Sequence, residues 1–184
     1  MHSLKNHYHD VIQKDLILSE NTSTVAMLPA LKKIDLALGG SHSDENFVIA
    51  SLGSLNILTG QKPYLTQQKP VGQKSSCHKE AVGGKLTLRG SSMFNFLHKL
   101  LFGVFPHMRQ FEGLRAPLHK DLYCFVIKDI FSFQELVPLF IYFESVGSLQ
   151  CQFYFTTKSE SEVVVLGNSL QLCFLPVEKQ EKRK

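Results

Sequence analysis

The run Lys85-Leu86-Thr87-Leu88-Arg89 alternates polar and apolar side chains without a break. Successive side chains of an extended strand point to opposite faces. Leu86 and Leu88 can therefore enter an apolar core, while Lys85, Thr87 and Arg89 share the other face. Lys62, Tyr64 and Thr66 form a similar set on a shorter run, Lys62–Thr66. A loop of Gly, Ser, Lys and His joins the two. The middle of the chain thus reads as a ribbon with one dry face and one cationic, hydrogen-bonding face. Any half-exposed antiparallel sheet shows such alternation. The pattern alone leaves open whether the polar face meets water or a polyanion.

The placement of charge bears on that choice. Residues 61–120 carry ten Lys or Arg and two acids, Glu80 and Glu112, whereas the segments on either side are mildly acidic. The net charge of +4 therefore arises from the central third, which also holds four of the eight histidines. A basic segment between acidic ones implies a directed field and a placed anionic partner.

At 184 residues, with 43% apolar and 20% charged side chains, the chain suits one well-buried domain. We expect that domain over residues 1–176 and a charged, fraying tail over 177–184. Cys77, Cys124, Cys151 and Cys173 form no C-x-x-C pair, and three lie in apolar, strand-like runs. They read as buried, reduced thiols. The N-terminal stretch lacks both the apolar core of a secretory signal and the composition of an import sequence. Leu122–Phe143 comes closest to a membrane span, but Lys128, Asp129, Gln134, Glu135 and Pro138 interrupt it.

Periodicity places helices over residues 3–18, Asp44–Leu58, Ser91–Phe105 and Ser159–Gly167. The first presents Leu4, Tyr8, Val11, Ile12, Asp15 and Leu16 on one face. Ser43 or Asp44, Ser91 or Ser92, and Ser159 are the expected caps, the last with Glu162 three residues on. Gly60 stands where a C-terminal cap belongs. Besides the opening ribbon, strands are expected over Leu31–Leu38, Leu122–Ile127, Leu136–Phe143, Leu149–Thr157 and Leu170–Leu175. In the first of these, Ile34, Leu36 and Leu38 face inward, and Lys33, Asp35 and Ala37 outward. The expected architecture is α+β: a mostly antiparallel sheet, helices packed on one face, and a basic side left open.

A catalytic site needs a nucleophile with a base, paired carboxylates or a ligand cluster. The carboxylates are scattered, no phosphate-loop or zinc-protease motif occurs, and the histidine spacings match no ligand scheme. Cys77-His78 offers two adjacent ligands without a second pair, so no metal and no cofactor is expected. A small basic enzyme or a free-standing RNA chaperone using that loop are the rival readings.

T-G-Q-K-P at 59–63, G-x-K-L-T-L-R-G at 83–90, M-F-x-F-L at 93–97 and F-P-x-M-R-x-F-x-G-L at 105–114 occur in order. With L-x-x-H-Y at 4–8 and I-x-L-x-L-G at 34–39, they make a chain that resembles the universal large-subunit ribosomal protein five family. The likeness spans residues 4–175. It implies a non-catalytic α+β protein that holds 5S rRNA in the central protuberance. Its partners would be 5S rRNA, large-subunit rRNA, P-site tRNA and neighbouring ribosomal proteins, including the small-subunit head at an intersubunit bridge, with no membrane.

Taken with the strand reading, this makes Lys33, Gln61, Lys62, Tyr64, Thr66, Lys85, Thr87 and Arg89 candidate 5S rRNA contacts. Arg89 would fork onto phosphate oxygens, and Lys62 and Lys85 would act as point charges. Gln61 and Thr87 would hydrogen-bond a 2′-hydroxyl or a base edge. Lys69, Gly72, Gln73, Lys74, Ser75, His78 and Lys79 lie in the loop that the likeness turns toward tRNA and large rRNA. Arg109, Arg115 and Lys120 extend the basic region.

The chain also departs from the family pattern. Ala37 stands where the family usually has Asn, and a Gly-Arg-Gly-Asn segment is replaced near His119–Leu122. The loop after Gly39 is shorter, and Ser132–Leu149 matches only through Phe133, Glu135 and Leu136. This drift and the 14 phenylalanines resemble an organelle-encoded, mitochondrial form, with a bacterial cytoplasm as the alternative.

Overall fold

The computed structural model describes residues 4–20, 27–40, 44–67, 81–109 and 111–175. Five antiparallel strands form one sheet: β1 (Ala30–Gly39), β2 (Tyr64–Gln67), β3 (Ala81–Leu88), β4 (Leu122–Ile127) and β5 (Leu149–Thr156). Their order across the sheet is β2-β3-β1-β5-β4. The fold is the expected α+β type.

Alternation decides the two faces. Ile34, Leu36 and Leu38 of β1 oppose Leu88, Leu86 and Gly84 of β3, and the five non-glycine side chains are almost wholly buried. Cys151 and Phe153 of β5 continue that face. Burying each large apolar side chain contributes roughly 1.5–3 kcal/mol. These residues and the buried faces of the helices make one hydrophobic core. Helix α3 (Glu45–Thr59) lies over β3, and Gly84 admits it. A Cβ there would sit 3.0–3.1 Å from Leu52 and Leu55.

The first helical segment joins α1 (Leu4–His7), a π-turn (Tyr8–Ile12) and α2 (Gln13–Glu20). Its buried stripe is Leu4, Tyr8, Ile12 and Leu16, at strict four-residue spacing. An α-helix drifts against that spacing, and the wider π-turn corrects the drift. Val11 and Asp15, expected on this face, are exposed.

Helix α4 (Gly90–Lys99) begins one residue before the expected start. Arg89 takes the N-cap position without a side-chain cap. The helix then passes into a π-turn (Leu100–Val104) and a 3-10 turn (Phe105–His107) that tolerates Pro106 near its start. Its buried stripe is the expected one with Phe96 added. Asp44 precedes α3 without a side-chain bond, whereas Gly60 (φ +68°) closes it as expected. Ser159 caps α6 (Glu160–Ser169) by accepting from Glu162 N. Glu162 returns a bond to Lys158 N at 2.8 Å.

Two expected strands are absent among the described residues. Leu136–Phe143 forms a 3-10 turn (Val137–Leu139) and the short helix α5 (Phe140–Phe143). Asp129 accepts from Phe131 N and starts a train of turns, in which Phe133 N, Leu136 N and Leu139 N each bond the carbonyl three residues back. Leu170–Leu175 is extended only in part. Gln171 adopts φ +65°, and Leu172 N turns back to Gly167 O. What remains is a single parallel bridge, Leu114 to Phe174. Of the cysteines, Cys151 is buried as expected, but Cys124 and Cys173 are exposed. Cys124 lies on the outward side of an edge strand, and Cys173 follows the kink at Gln171. Cys77 and the 177–184 tail lie outside the described residues.

Candidate nucleic-acid interface

The helices cover one face of the sheet, and the other face is open. Its side chains follow from strand register. Tyr64, Lys85, Ala37, Gln150 and Val126 line up across the five strands. Thr87, Asp35, Gln152 and Cys124 form the next row, and Lys33, Tyr154 and Leu122 the one beyond. Lys85, Gln150, Cys124 and Val126 are exposed, and Tyr64 is 76% exposed. An exposed tyrosine beside an exposed lysine gives a stacking surface next to a cation.

At the centre of this face lies a buried acid. Asp35, read from sequence as simply outward, is 2% exposed because its neighbours close over it. Its Oδ1 accepts from Thr87 Oγ1 at 2.7 Å. Its Oδ2 pairs with Lys33 Nζ at 3.0 Å and Lys85 Nζ at 3.5 Å. Burial pushes the Asp35 carboxyl up. Hydrogen bonds from Thr87 and Lys33 and the charges of Lys33 and Lys85 outweigh it and hold the group below the usual carboxylate range. Lys33 also rests over the Tyr154 ring at 3.9 Å, which leaves its ammonium engaged on two sides.

The candidate residues therefore differ in availability. Lys62 and Arg89 are exposed and form no ion pair among the described residues. Lys85 is exposed but shares Asp35. Lys33 is largely consumed by Asp35 and Tyr154. Gln61 and Thr66 are half-buried beside the ribbon. The charge balance read along the chain overstates the field, because Asp35 reaches Lys85 across strands and Glu135 reaches Lys99 at 2.8 Å. Lys69, Gly72, Gln73, Lys74, Ser75, His78 and Lys79 lie outside the described residues.

A family model for the C-terminus of the ribosomal uL5 proteins matches residues 81–174. It opens on the first residue of β3 and takes in Lys85, Thr87 and Arg89. The large ribosomal subunit protein uL5 of Mycoplasma pneumoniae is 31% identical over 180 residues, covering 94% of this chain and 97% of that one. Protein uL5m of Reclinomonas americana is 31% identical over 177 residues, with the same coverage of both. The uL5 of Malacoplasma penetrans is 34% identical over 139 residues, covering 73% and 74%. The chain belongs to the uL5 family.

uL5 proteins are structural, which sets the enzyme reading aside. The geometry agrees with that. Among the described residues no three of His, Cys, Asp and Glu gather to hold a metal. The largest apolar cavities border β4 and α5 and contain no paired nucleophile and base. No described helix is long and apolar enough to cross a membrane.

Within this uL5 chain, Arg109, Arg115 and Lys120 do not join the ribbon's cations. They are exposed on the segment that leads into β4, at the opposite edge of the sheet. Four strand intervals of about 4.8 Å separate β2 from β4, or about 19 Å. The backbone of this segment is anchored. Tyr123 OH donates to Arg115 O at 2.9 Å, and Thr157 Oγ1 donates to Lys120 O. Burial pushes the Tyr123 hydroxyl up, partly offset by the Arg115 charge, to about 12, so it remains a donor. The sequence reading missed Gln150, Gln152 and Tyr154. Their signal was the alternation within Leu149–Thr156, which marks them as outward.

Proposed function

We propose that this chain is a structural constituent of the large ribosomal subunit that holds 5S rRNA on the open face of its sheet. The observation that carries this reading is the combination of exposed Lys62, Tyr64, Lys85 and Arg89 on one ribbon, with all the strand-covering helices behind it. A helical RNA presents phosphates and 2′-hydroxyls across a shallow groove. A flat sheet with cations at one side and amides at the other offers groups for both. Arg89 forks onto phosphate, Lys62 and Lys85 supply point charges, Tyr64 stacks, and Gln61, Thr66 and Thr87 make polar contacts. Lys33 contributes through its field more than by direct contact. Arg109, Arg115 and Lys120 meet a separate part of the RNA.

The segment between β2 and β3 carries Lys69, Lys74 and Lys79. We assign it the contacts to large-subunit rRNA and P-site tRNA. The remaining partners are neighbouring ribosomal proteins, including the small-subunit head. The compartment we favour is the mitochondrion. The uL5m relative of Reclinomonas americana supports it, although a bacterial relative matches equally well.

The test is 5S rRNA binding by the purified chain as a function of salt. Each neutralised phosphate steepens the fall of log affinity with log salt by about 0.7–0.9. A steep fall supports the clamp, and a flat profile rejects it. Co-sedimentation with purified mitochondrial large subunits tests the compartment.

A further inference from the structure

Among the described residues Asp35 is the only buried charged side chain, and it lies in the middle of the proposed RNA surface. Its partners are arranged asymmetrically. Both ammonium groups approach Oδ2, and the Thr87 hydroxyl approaches Oδ1 at 2.7 Å. An ionised carboxylate only accepts hydrogen bonds, and a hydroxyl has a single proton. Thr87 must therefore donate inward to Asp35, and its free lone pairs are left as acceptors. Thr87 is half-buried, not sealed, and Lys85 beside it is exposed.

We propose that Asp35 is a positioning residue that fixes the Thr87 hydroxyl as an acceptor, so that this face selects an RNA ribose whose 2′-hydroxyl donates to Thr87 while an adjacent phosphate pairs with Lys85. The inference rests on the sheet face being the RNA surface. It adds a chemical basis for choosing RNA over a nucleic acid of like charge, because phosphate contacts alone do not distinguish the two. The depressed ionisation of Asp35 keeps the carboxylate charged, and so keeps the polarity fixed, at neutral pH.

Asp35→Asn reverses the arrangement. The two lysines are donors only, so the amide oxygen takes the Oδ2 place and the NH2 group faces Thr87. Thr87 then accepts from the amide and turns its own proton outward. Thr87→Val removes the acceptor and keeps the cations.

The experiment measures binding of the full chain to 5S rRNA transcribed with ordinary ribose and with 2′-fluoro ribose. The fluoro sugar keeps the RNA helix geometry and lacks the donor. Wild type should bind the fluoro RNA about three- to tenfold more weakly, the value of one or two net hydrogen bonds. Thr87→Val and Asp35→Asn should each lose most of the share of that penalty set at this position, and Thr87→Ser should keep it. The salt slope of Thr87→Val should match wild type. An equal penalty in wild type and Thr87→Val overturns the inference, as does no penalty in wild type. A wild-type chain that fails to bind 5S rRNA overturns both this inference and the reading beneath it. Steep, salt-dependent binding with no 2′-fluoro effect overturns this inference alone.

Discussion

The two halves of the open sheet face share a hydrogen-bonded scaffold and differ in how they present polarity. On the β2-β3-β1 half, the outward residues are Tyr64, Lys85, Thr87, Lys33 and Asp35, and the charged groups converge on one carboxylate. On the β5-β4 half, they are Gln150, Gln152, Tyr154, Leu122, Cys124 and Val126, with no ionised group. One half can attract a polyanion from a distance; the other can only make short-range contacts once the polyanion has arrived. Charge on a surface is thus a matter of strand adjacency as much as of composition. The Thr87 hydroxyl that meets Asp35 comes from 52 positions away in the chain.

The sharpest way to break the comparison is to remove what the halves have in common. Leu88→Ala empties a fully buried position under the ribbon and next to Ile34. It should cost about 2–5 kcal/mol of stability, measured by urea unfolding, and abolish the distinction by loosening both halves. Arg89→Ala should weaken 5S rRNA binding by about 1–3 kcal/mol at unchanged stability, read by filter binding. Unchanged binding would take Arg89 out of the interface. Gln152→Ala, on the neutral half, should cost less, about 0.5–1.5 kcal/mol, and leave the salt slope unaltered. A changed slope would mean that the neutral half also bears phosphate contacts.

The smallest effect is on pH dependence. The folded Asp35 carboxyl titrates below its ordinary value of 3.8. Its contribution to stability is complete above the unfolded value and drains away as pH falls through the lower folded one. Urea midpoints followed from roughly pH 5 down to roughly pH 2 should show a wild-type loss that is reduced in Asp35→Asn. Equal loss in both would mean that other carboxylates control the acid limb.

Much of the fold was legible because it depended on local periods. The alternation of Leu86 and Leu88 gave β3 its faces, and Leu122–Ile127 was bounded correctly. The run Leu136–Phe143 misled because Phe, Ile, Tyr and Val favour strands. Ile130, Phe133, Leu136, Leu139, Phe143 and Val146 recur every three or four residues instead, which is a helical period. Gln171 could not be foreseen, because a positive φ at a non-glycine residue leaves little trace in sequence. The cations of the interface were legible from the motifs at 59–63 and 83–90. Asp35 was not, since only the β1–β3 register brings it beneath Lys85 and Thr87. The same holds for the split between the ribbon's cations and Arg109, Arg115 and Lys120, which is a fact of strand order.

Lys99 shows how far the ribbon depends on what lies behind it. Its ammonium donates to Leu58 O at 2.7 Å and pairs with Glu135 at 2.8 Å. It thereby pins the last turn of α3 to α4 and to the turns around Phe133. Two residues after Leu58, Gly60 swings the backbone toward Lys62 and Tyr64. The aim of those two side chains is steered from the rear of the molecule, so a half-buried lysine that never meets a nucleotide governs where the nucleotide can land.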